Sequence, residues 1–229
     1  MTKNLLQVKN LTVSTGSETG KINIVDNISF DIRRGETFVL LGESGSGKSI
    51  TALSIMRLLP SAIKINAGEV ILNDKNLFQL PENKMREVRG ANIGMIFQEP
   101  QTSLNPVLTA GQQISETLHQ HTNLSNNQCI AHSIELLDAV GIPEPERRIN
   151  EYPHQFSGGM KQRIMIAIAL AGEPDLLIAD EPTTALDVTI QAQVLELLRK
   201  LQRETDMSIL FITHDIGVAS QMADHIAVM

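Results

Sequence analysis

A glycine-rich stretch that ends in a lysine and a serine carries the most specific chemical signal in this sequence. Its spacing is that of a phosphate-binding P-loop. The glycines allow backbone N–H groups to approach phosphate oxygens without a Cβ in the way. The Lys48 ammonium would meet the β- and γ-phosphates, and the Ser49 hydroxyl is an oxygen ligand for Mg²⁺. The stretch consists of Gly42, Glu43, Ser44, Gly45, Ser46, Gly47, Lys48 and Ser49.

The sequence on either side of this stretch has the pattern that a P-loop requires. Residues 36–41 have the apolar pattern of a buried strand, and residues 50–59 have that of a helix that ends before Pro60. The positive end of that helix would point at the same phosphates. The alternative is a flexible Gly/Ser turn with an incidental lysine, and the flanking pattern argues against it.

A pair of carboxylates, Asp180 and Glu181, follows directly after the apolar residues 176–179. In an open α/β sheet, ligands bind beyond the carboxyl ends of the strands. We therefore expect Asp180 to face the P-loop and to hold Mg²⁺ directly or through water. Glu181 would then orient and deprotonate a water that attacks the γ-phosphate. A solvated acidic turn is the alternative, and the presence of a P-loop disfavours it.

A second candidate phosphate-binding site begins at Ser157. This serine can cap a helix, and Gly158 and Gly159 would expose N–H groups at its positive end. Taken alone, the same pattern also describes a plain helix cap that is followed by two glycines.

The elements that position these residues follow from the periodicity of the chain. Alternating residues predict antiparallel strands at 6–13 and 22–32. Residues 100–156 are predicted to form a mostly helical insertion, with a capping box at Ser125 and Gln128. Elsewhere, buried strands alternate with helices, which is typical of a parallel sheet covered on both faces. We predict further strands at 68–72, 93–97, 208–213 and 226–229, and further helices at 81–90, 111–119, 129–140, 160–171, 190–204 and 216–222.

Composition excludes several classes of function. The chain has 229 residues and a net charge of −7, with no run of Lys or Arg, so nonspecific binding to nucleic acid is not favoured. Cys129 is the single cysteine, which excludes an internal disulfide and a cysteine metal cluster and indicates a reducing compartment. The apolar run at 164–171 is too short to span a bilayer. If the chain functions at a membrane, we therefore expect it to bind a partner protein that spans the bilayer.

Together these motifs resemble, in their order along the whole chain, the nucleotide-binding subunit of an ATP-binding cassette (ABC) transporter. A signature sequence following a P-loop separates this family from other P-loop enzymes. The matching positions are residues 42–49 for Walker A, Gln98 for the Q-loop, 157–162 for the signature, Asp180 and Glu181 for Walker B and its adjacent glutamate, 185–187 for the D-loop, and His214 for the switch histidine.

The resemblance implies a head-to-tail dimer that holds two ATP molecules between its subunits. The P-loop and the adjoining Ile50 would bind one ATP, and the signature of the partner would complete the same site. The implied catalytic residues are Glu181, His214 and Lys48, and the implied Mg²⁺ ligands are Ser49, Gln98 and Asp180. Further implied nucleotide-binding residues are Ser157, Gly158, Gly159, Gln162 and Asp187.

The resemblance also implies the fold class and its division. The chain would be a single α/β domain, 1–229, with a RecA-like P-loop core and an N-terminal antiparallel β subdomain. Residues 1–99 and 160–229 would form that core together with the β subdomain. Residues 100–159 would form the helical subdomain that leads into the signature and docks on the membrane subunits.

Three stretches, 98–106, 152–160 and 179–187, further resemble the ATPases of bacterial dipeptide and oligopeptide importers, a group that includes nickel and glutathione importers. This implies a peripheral subunit on the cytoplasmic face of the inner membrane, with transmembrane permease subunits and a second, identical or different cassette. A periplasmic or extracellular solute-binding protein would be an indirect partner. The alternatives are a soluble ABC ATPase of DNA repair or translation, which a coiled-coil insertion or basic groove would favour, and an exporter ATPase.

Two features depart from the pattern of the family. ABC proteins usually place an aromatic residue upstream of the P-loop to stack on adenine, and Ile22 lies near that position. Members of this importer group usually continue well beyond the switch histidine. From that comparison we expect the chain to be truncated at its C-terminus.

Overall fold

The computed structural model describes residues 4–16, 20–184 and 186–229, which form two sheets and nine α-helices. The strands are β1 (Asn4–Thr15), β2 (Ile22–Arg33), β3 (Thr37–Leu41), β4 (Ile63–Leu72), β5 (Lys75–Asn76), β6 (Ile93–Ile96), β7 (Leu176–Asp180), β8 (Ser208–Thr213) and β9 (His225–Val228). The helices are α1 (Lys48–Ile55), α2 (Glu82–Ala91), α3 (Pro100–Ser103), α4 (Ala110–His121), α5 (Asn126–Ala139), α6 (Pro145–Arg148), α7 (Gly158–Leu170), α8 (Val188–Thr205) and α9 (Ile216–Met222).

A five-stranded parallel sheet with the order β6-β7-β8-β3-β9 carries the predicted chemistry. The strand before the P-loop, β3, pairs with β8 on one side and with β9 on the other. A separate antiparallel sheet with the order β2-β1-β4-β5 packs against one face of it, and its strands β1 and β2 precede β3 in the chain whereas β4 and β5 follow it. The predicted α/β class, with an antiparallel sheet at the N-terminus, is therefore confirmed.

Successive residues of the parallel strands face two separate hydrophobic cores, as the two-residue period of a strand requires. In β7, Leu176 and Ile178 pack in the core shared with the antiparallel sheet and α1, whereas Leu177 and Ala179 pack in the core shared with α7 and α8. Because both faces are buried, β7 and β8 appear in the sequence as continuous apolar runs.

Strand β4 begins at Ile63, five residues before the predicted start at Gly68. Gly68 interrupts the apolar alternation, since a glycine inside a strand pattern usually marks a boundary or a bulge. In the structure it has a φ of 101° and lies where the register with β1 shifts. A Cβ there would lie 2.6 Å from the Leu11 Cα, so only glycine allows the strand to continue.

Helix α1 runs from Lys48 to Ile55, which corrects the predicted range of 50–59. Arg57 has a φ of 53°, and the Leu58 N–H donates to the Leu53 carbonyl at 2.8 Å, so the helix closes in a Schellman motif. The Arg57 guanidinium donates to the carbonyls of Leu77 and Leu80 at 3.1 and 2.6 Å, and these bonds tie the end of the helix to residues 77–80.

The region between β6 and α7 is helical, as predicted, and contains α3 to α6. The predicted capping box at Ser125 and Gln128 is present at the start of α5, and Thr109 and Gln112 form another at α4. Helix α3 was not predicted, because a single turn is too short to show helical periodicity. Among the described residues, no helix is both long enough and apolar enough to cross a membrane.

Candidate active site

The candidate site lies where three neighbouring parallel strands end at the same level. Leu41 at the end of β3 is paired with Thr213 of β8, and Asp180 at the end of β7 is paired with Ile212 of the same strand. The P-loop follows β3, Glu181 follows β7 and His214 follows β8. The register of the sheet therefore brings together residues that are far apart in the sequence.

The P-loop is preformed around the Lys48 side chain, which is only 3% exposed. Its Nζ donates to the Gly42 carbonyl at 2.8 Å and to the Glu43 carbonyl at 2.7 Å. Gly45 and Gly47 have φ values of 85° and 100°, a backbone region that glycine enters without strain. Gly47 caps α1, so the loop ends at the positive end of that helix, as a phosphate site requires.

Ser49 and Asp180 form a hydrogen-bonded pair beside the P-loop. The Ser49 hydroxyl donates to Oδ1 of Asp180 at 2.9 Å, and Asp180 is 6% exposed. Burial raises the pKa of Asp180 above its usual range, the Ser49 hydrogen bond opposes this rise, the Glu181 charge adds to it and the Lys48 charge reduces it. A hydroxyl and a carboxylate oxygen are hard ligands of the kind that Mg²⁺ prefers, so this pair fits that ion.

Glu181 is buried and three side chains approach the same carboxylate oxygen, Oε2. The Thr184 hydroxyl donates to it at 2.8 Å, the Gln98 amide donates to it at 3.2 Å, and the His214 Nδ1 lies 3.3 Å from it. Glu181 itself has a φ of 46°, which is uncommon for a residue other than glycine and marks a constrained turn. The structure thus gathers Gln98 and His214 around Glu181.

Two adjoining cavities give these side chains access to a ligand. A cavity of about 220 Å³ is lined by residues 44, 45 and 47–50 and by Ile24, Gln98 and Glu181. A wider cleft of about 690 Å³ shares Ser44, Gln98 and Glu181 with it and adds His214. Together the two cavities reach the size range of small-molecule sites.

The signature residues lie apart from the P-loop cavity. Ser157 caps α7 by accepting a hydrogen bond from the Met160 N–H at 3.3 Å, and Ser157 and Gly158 are exposed. Gly159 packs on Ile190, so a Cβ there would lie 3.0 Å from that side chain. None of the four predicted signature contacts, including Gln162, is among the described residues that line the P-loop cavity.

Gln162 and Asp187, which were also predicted to bind nucleotide, have structural roles or positions within their own chain. Gln162 is 1% exposed, and its Nε2 has no hydrogen-bond partner among the described residues. A direct contact with a nucleotide would therefore require this side chain to leave the interior. Asp187 is exposed and caps α8 by accepting a hydrogen bond from the Ile190 N–H at 2.9 Å. Ala185 of the predicted D-loop lies outside the described residues.

Ile24, rather than Ile22, is the residue of β2 that lines the P-loop cavity, where it joins Ile50 of α1. Ile22 is 66% exposed and is not among the described residues that line it. Sequence register alone did not separate the two positions. Thr184 was also not predicted as a site residue, although its position three residues after Glu181 is a local signal for a turn in which the two side chains meet.

Comparison with known proteins places these motifs in a family. Residues 25–184 match the family described as ABC transporter. The dipeptide transport ATP-binding protein of Bacillus subtilis is 53% identical over 226 residues, which are 98% of this chain and 68% of that protein. The oligopeptide transport ATP-binding protein of the same organism is 52% identical, over 98% of this chain and 63% of that protein.

A glutathione import ATP-binding protein of Salmonella typhi is 49% identical, over 99% of this chain and 37% of that protein. Among solved structures, the dimeric ATP-binding cassette MJ0796 in a post-hydrolysis state with ADP and phosphate superposes with a TM-score of 0.87 and 31% identity, over 98% of this chain and 94% of that one. The structure of cbiO1 from Clostridium perfringens, part of the transporter complex cbiONQ, superposes with a TM-score of 0.82 and 28% identity, over 99% and 84%.

Proposed function

The chain belongs to the ABC transporter family, and from that premise we propose that it is the ATP-hydrolysing subunit of a bacterial importer for peptides. Its family and relatives make it an ATP-binding transport ATPase. The observation that carries the proposed chemistry is the cluster of Glu181, Gln98 and His214 beside a preformed P-loop. The residue roles, the cargo and the partners are the proposed parts.

In the proposed mechanism, Glu181 orients the attacking water and accepts its proton. Lys48 leaves the carbonyls that it now contacts and donates to the β- and γ-phosphates of ATP. His214, which is exposed beside Glu181, contacts the γ-phosphate and helps to hold the water. Backbone N–H groups of the P-loop bind the remaining phosphate oxygens. Because these donors are already oriented by the loop, they need no reorganisation during the reaction.

Ser49 and Asp180 are the proposed ligands of Mg²⁺, with Gln98 at the same edge of the site. When bound, this ion neutralises charge that develops on the phosphate oxygens. The hydrogen bond between Ser49 and Asp180 places the two ligand oxygens 2.9 Å apart, so little rearrangement is needed to present both. When the site is occupied, Gln98 would give up its bond to Glu181 and contact the bound ligand instead. Because Gln98 lies just before the helical region, this change would link nucleotide binding to that region.

The signature is proposed to act on the nucleotide of a second cassette. Ser157 and Gly158 are exposed at the positive end of α7, where N–H groups can bind a phosphate. Because they do not line the P-loop cavity of their own chain, a head-to-tail dimer is the arrangement that would use both phosphate sites. The likeness to a dimeric cassette with bound ADP and phosphate supports this arrangement.

The cargo and the partners are proposed from the relatives. The dipeptide and oligopeptide transport proteins of Bacillus subtilis are more than half identical to this chain, so di- or oligopeptides are the proposed cargo. The proposed assembly contains permease subunits, a second cassette and an external solute-binding protein. The cassette would lie on the cytoplasmic face of the membrane, where permease subunits would hold it.

The enzymatic proposal is tested by comparing the purified chain with its Glu181→Gln variant. The amide keeps the shape of the side chain and removes the base, so we expect ATP binding to remain and hydrolysis to fall by about 10²–10⁴-fold. Binding is measured by calorimetry and turnover by phosphate release. Near-normal turnover by the variant would exclude Glu181 as the base.

The transport proposal is tested in a strain that lacks the gene and requires an amino acid. We expect growth on a peptide that contains that amino acid to be lost, to return with the wild-type gene and to stay absent with the Glu181→Gln gene. Growth on the free amino acid is the control. Unchanged peptide uptake in the deletion strain, with no other peptide importer present, would argue against this cargo.

A further inference from the structure

Thr184 makes the shortest of the described hydrogen bonds to the Glu181 carboxylate. Its hydroxyl donates to Oε2 at 2.8 Å, and its backbone N–H donates to the Glu181 carbonyl at 3.1 Å. The turn from Glu181 to Thr184 is therefore closed twice, once by the backbone and once by the side chains. Glu181 is 8% exposed and Thr184 is half-buried, so water competes weakly for this bond.

The other two groups on Oε2 come from distant parts of the chain. Gln98 follows β6, and His214 follows β8 and is 56% exposed. In the proposed mechanism both turn toward the nucleotide and its metal ion, and both then leave or loosen their contact with Glu181. Thr184 belongs to the same short turn as Glu181, so its contact can persist while the other two change.

We propose that Thr184 is a positioning residue for ATP hydrolysis, which holds the Glu181 carboxylate in the orientation that accepts a proton from water. A glutamate side chain has three rotatable bonds, and ordering such a side chain has an entropic cost. A misplacement of about 1 Å can lower a rate by about 100-fold. A hydroxyl donor on one carboxylate oxygen fixes the side chain and leaves Oε1 free to act as the base.

This inference rests on the proposed role of Glu181, and its test uses variants of the 229-residue chain in the ATPase assay. Thr184→Val removes the hydroxyl at nearly constant volume, and Thr184→Ser keeps it. We expect Thr184→Val to lower kcat by about 10- to 100-fold, the range set by one hydrogen bond to a charged group. Thr184 lines the wider cleft, but its hydroxyl is bonded to Glu181 rather than directed to a ligand, so the KM for ATP should change by less than about twofold. Thr184→Ser should recover most of kcat.

A double variant separates positioning from a general structural effect. If Thr184 acts through Glu181, then adding Thr184→Val to Glu181→Gln should cause no further loss of turnover. Thr102→Val is the matched control: this threonine lines a neighbouring cavity together with Thr184, but its hydroxyl donates to the Glu99 carbonyl at 3.2 Å. We expect its kcat to equal that of the wild type.

The outcomes distinguish this inference from the proposed function. Wild-type kcat in Thr184→Val, combined with an inactive Glu181→Gln, would overturn the positioning role and leave the base intact. Equal losses in Thr184→Val and Thr184→Ser, or a further loss in the double variant, would also overturn it. A fully active Glu181→Gln would instead overturn the role of Glu181 on which the inference rests.

Discussion

The hydrogen bond between Ser49 and Asp180 allows a quantitative test of how the site is built before any ligand binds. Ser49→Ala removes the donor and leaves a carboxylate that is 6% exposed without its 2.9 Å partner. Ser49→Thr keeps the hydroxyl and is the matched control. We expect the alanine variant to be less stable than the wild type in the absence of any ligand.

The magnitude follows from the charge and burial of the acceptor. A hydrogen bond to a charged group contributes about 1.5–3 kcal/mol. For a chain of this size, each kcal/mol shifts the melting temperature by about 2–4 °C, so the expected loss is about 3–12 °C. Ser49→Thr should melt close to the wild type.

The pH dependence gives the prediction a definite sign. Burial already raises the pKa of Asp180, and the Ser49 bond partly opposes that rise. In Ser49→Ala the pKa of Asp180 should rise further, because its charged form has lost a donor. When a carboxyl group has a higher pKa in the folded state than in the unfolded state, the free energy of unfolding falls as pH rises and the group ionises. The stability difference between the variant and the wild type should therefore be largest above both folded pKa values and should shrink as pH falls through them.

The assay is thermal unfolding of the three proteins, without nucleotide, at several pH values from neutral to mildly acidic. Comparison between variants at each pH removes the effect of other carboxylates. Equal melting temperatures for Ser49→Ala and the wild type at neutral pH would refute the reasoning, and so would a loss of constant size at every pH. A Ser49→Thr variant as unstable as Ser49→Ala would show that the hydroxyl is not the cause.

Three further predictions address the dimer, the nucleotide contact and the buried thiol. Lys48→Ala and Ser157→Arg chains should each be inactive alone and should recover some ATPase when mixed, because one composite site is intact; no recovery in crosslinked mixed dimers would contradict the sandwich. Ile24→Ala should weaken ATP binding by about 4- to 15-fold, from about 0.8 kcal/mol for each of one or two buried methylene groups. Ile22→Ala should have little effect by the same calorimetry, and the reverse order would assign the contact to Ile22. Cys129, which is 0% exposed, should react with a thiol reagent only as fast as the protein opens, so rapid labelling under native conditions would contradict its burial.

Several elements were predicted with the bounds or caps that the structure shows. The predicted bounds of β8 and α9 agree with the structure, and the capping box at Ser125 is present. The P-loop pattern also predicted a strand, a glycine turn and a helix in the right order. The helix cap and the glycine turn depend on contacts between residues only a few positions apart, so the sequence shows them directly. Strand β8 pairs with the distant strands β3 and β7, and it is visible in the sequence because burial of both its faces makes it a continuous apolar run.

Elements whose limits depend on distant partners were predicted less well. At the end of helix α1 the Arg57 side chain bonds to the carbonyls of Leu77 and Leu80, and at Gly68 strand β4 continues in close contact with β1. Neither partner is near in the sequence. A periodic pattern cannot show such contacts, and each prediction stopped at the nearest local signal, Pro60 or Gly68.

Only the tertiary structure decided which side chains share the site. Motif order indicated Gln98, Glu181 and His214, but the register of β7 against β8 and β6 sets the distances of 3.2 and 3.3 Å between them. Packing also placed Gln162 inside the fold and put Ile24 rather than Ile22 at the cavity. The sequence by itself determined the chemistry that the chain carries, because that chemistry depends on residue type and local spacing. Long-range packing set which side chains face the site and how far apart they lie, and a single sequence does not show such contacts.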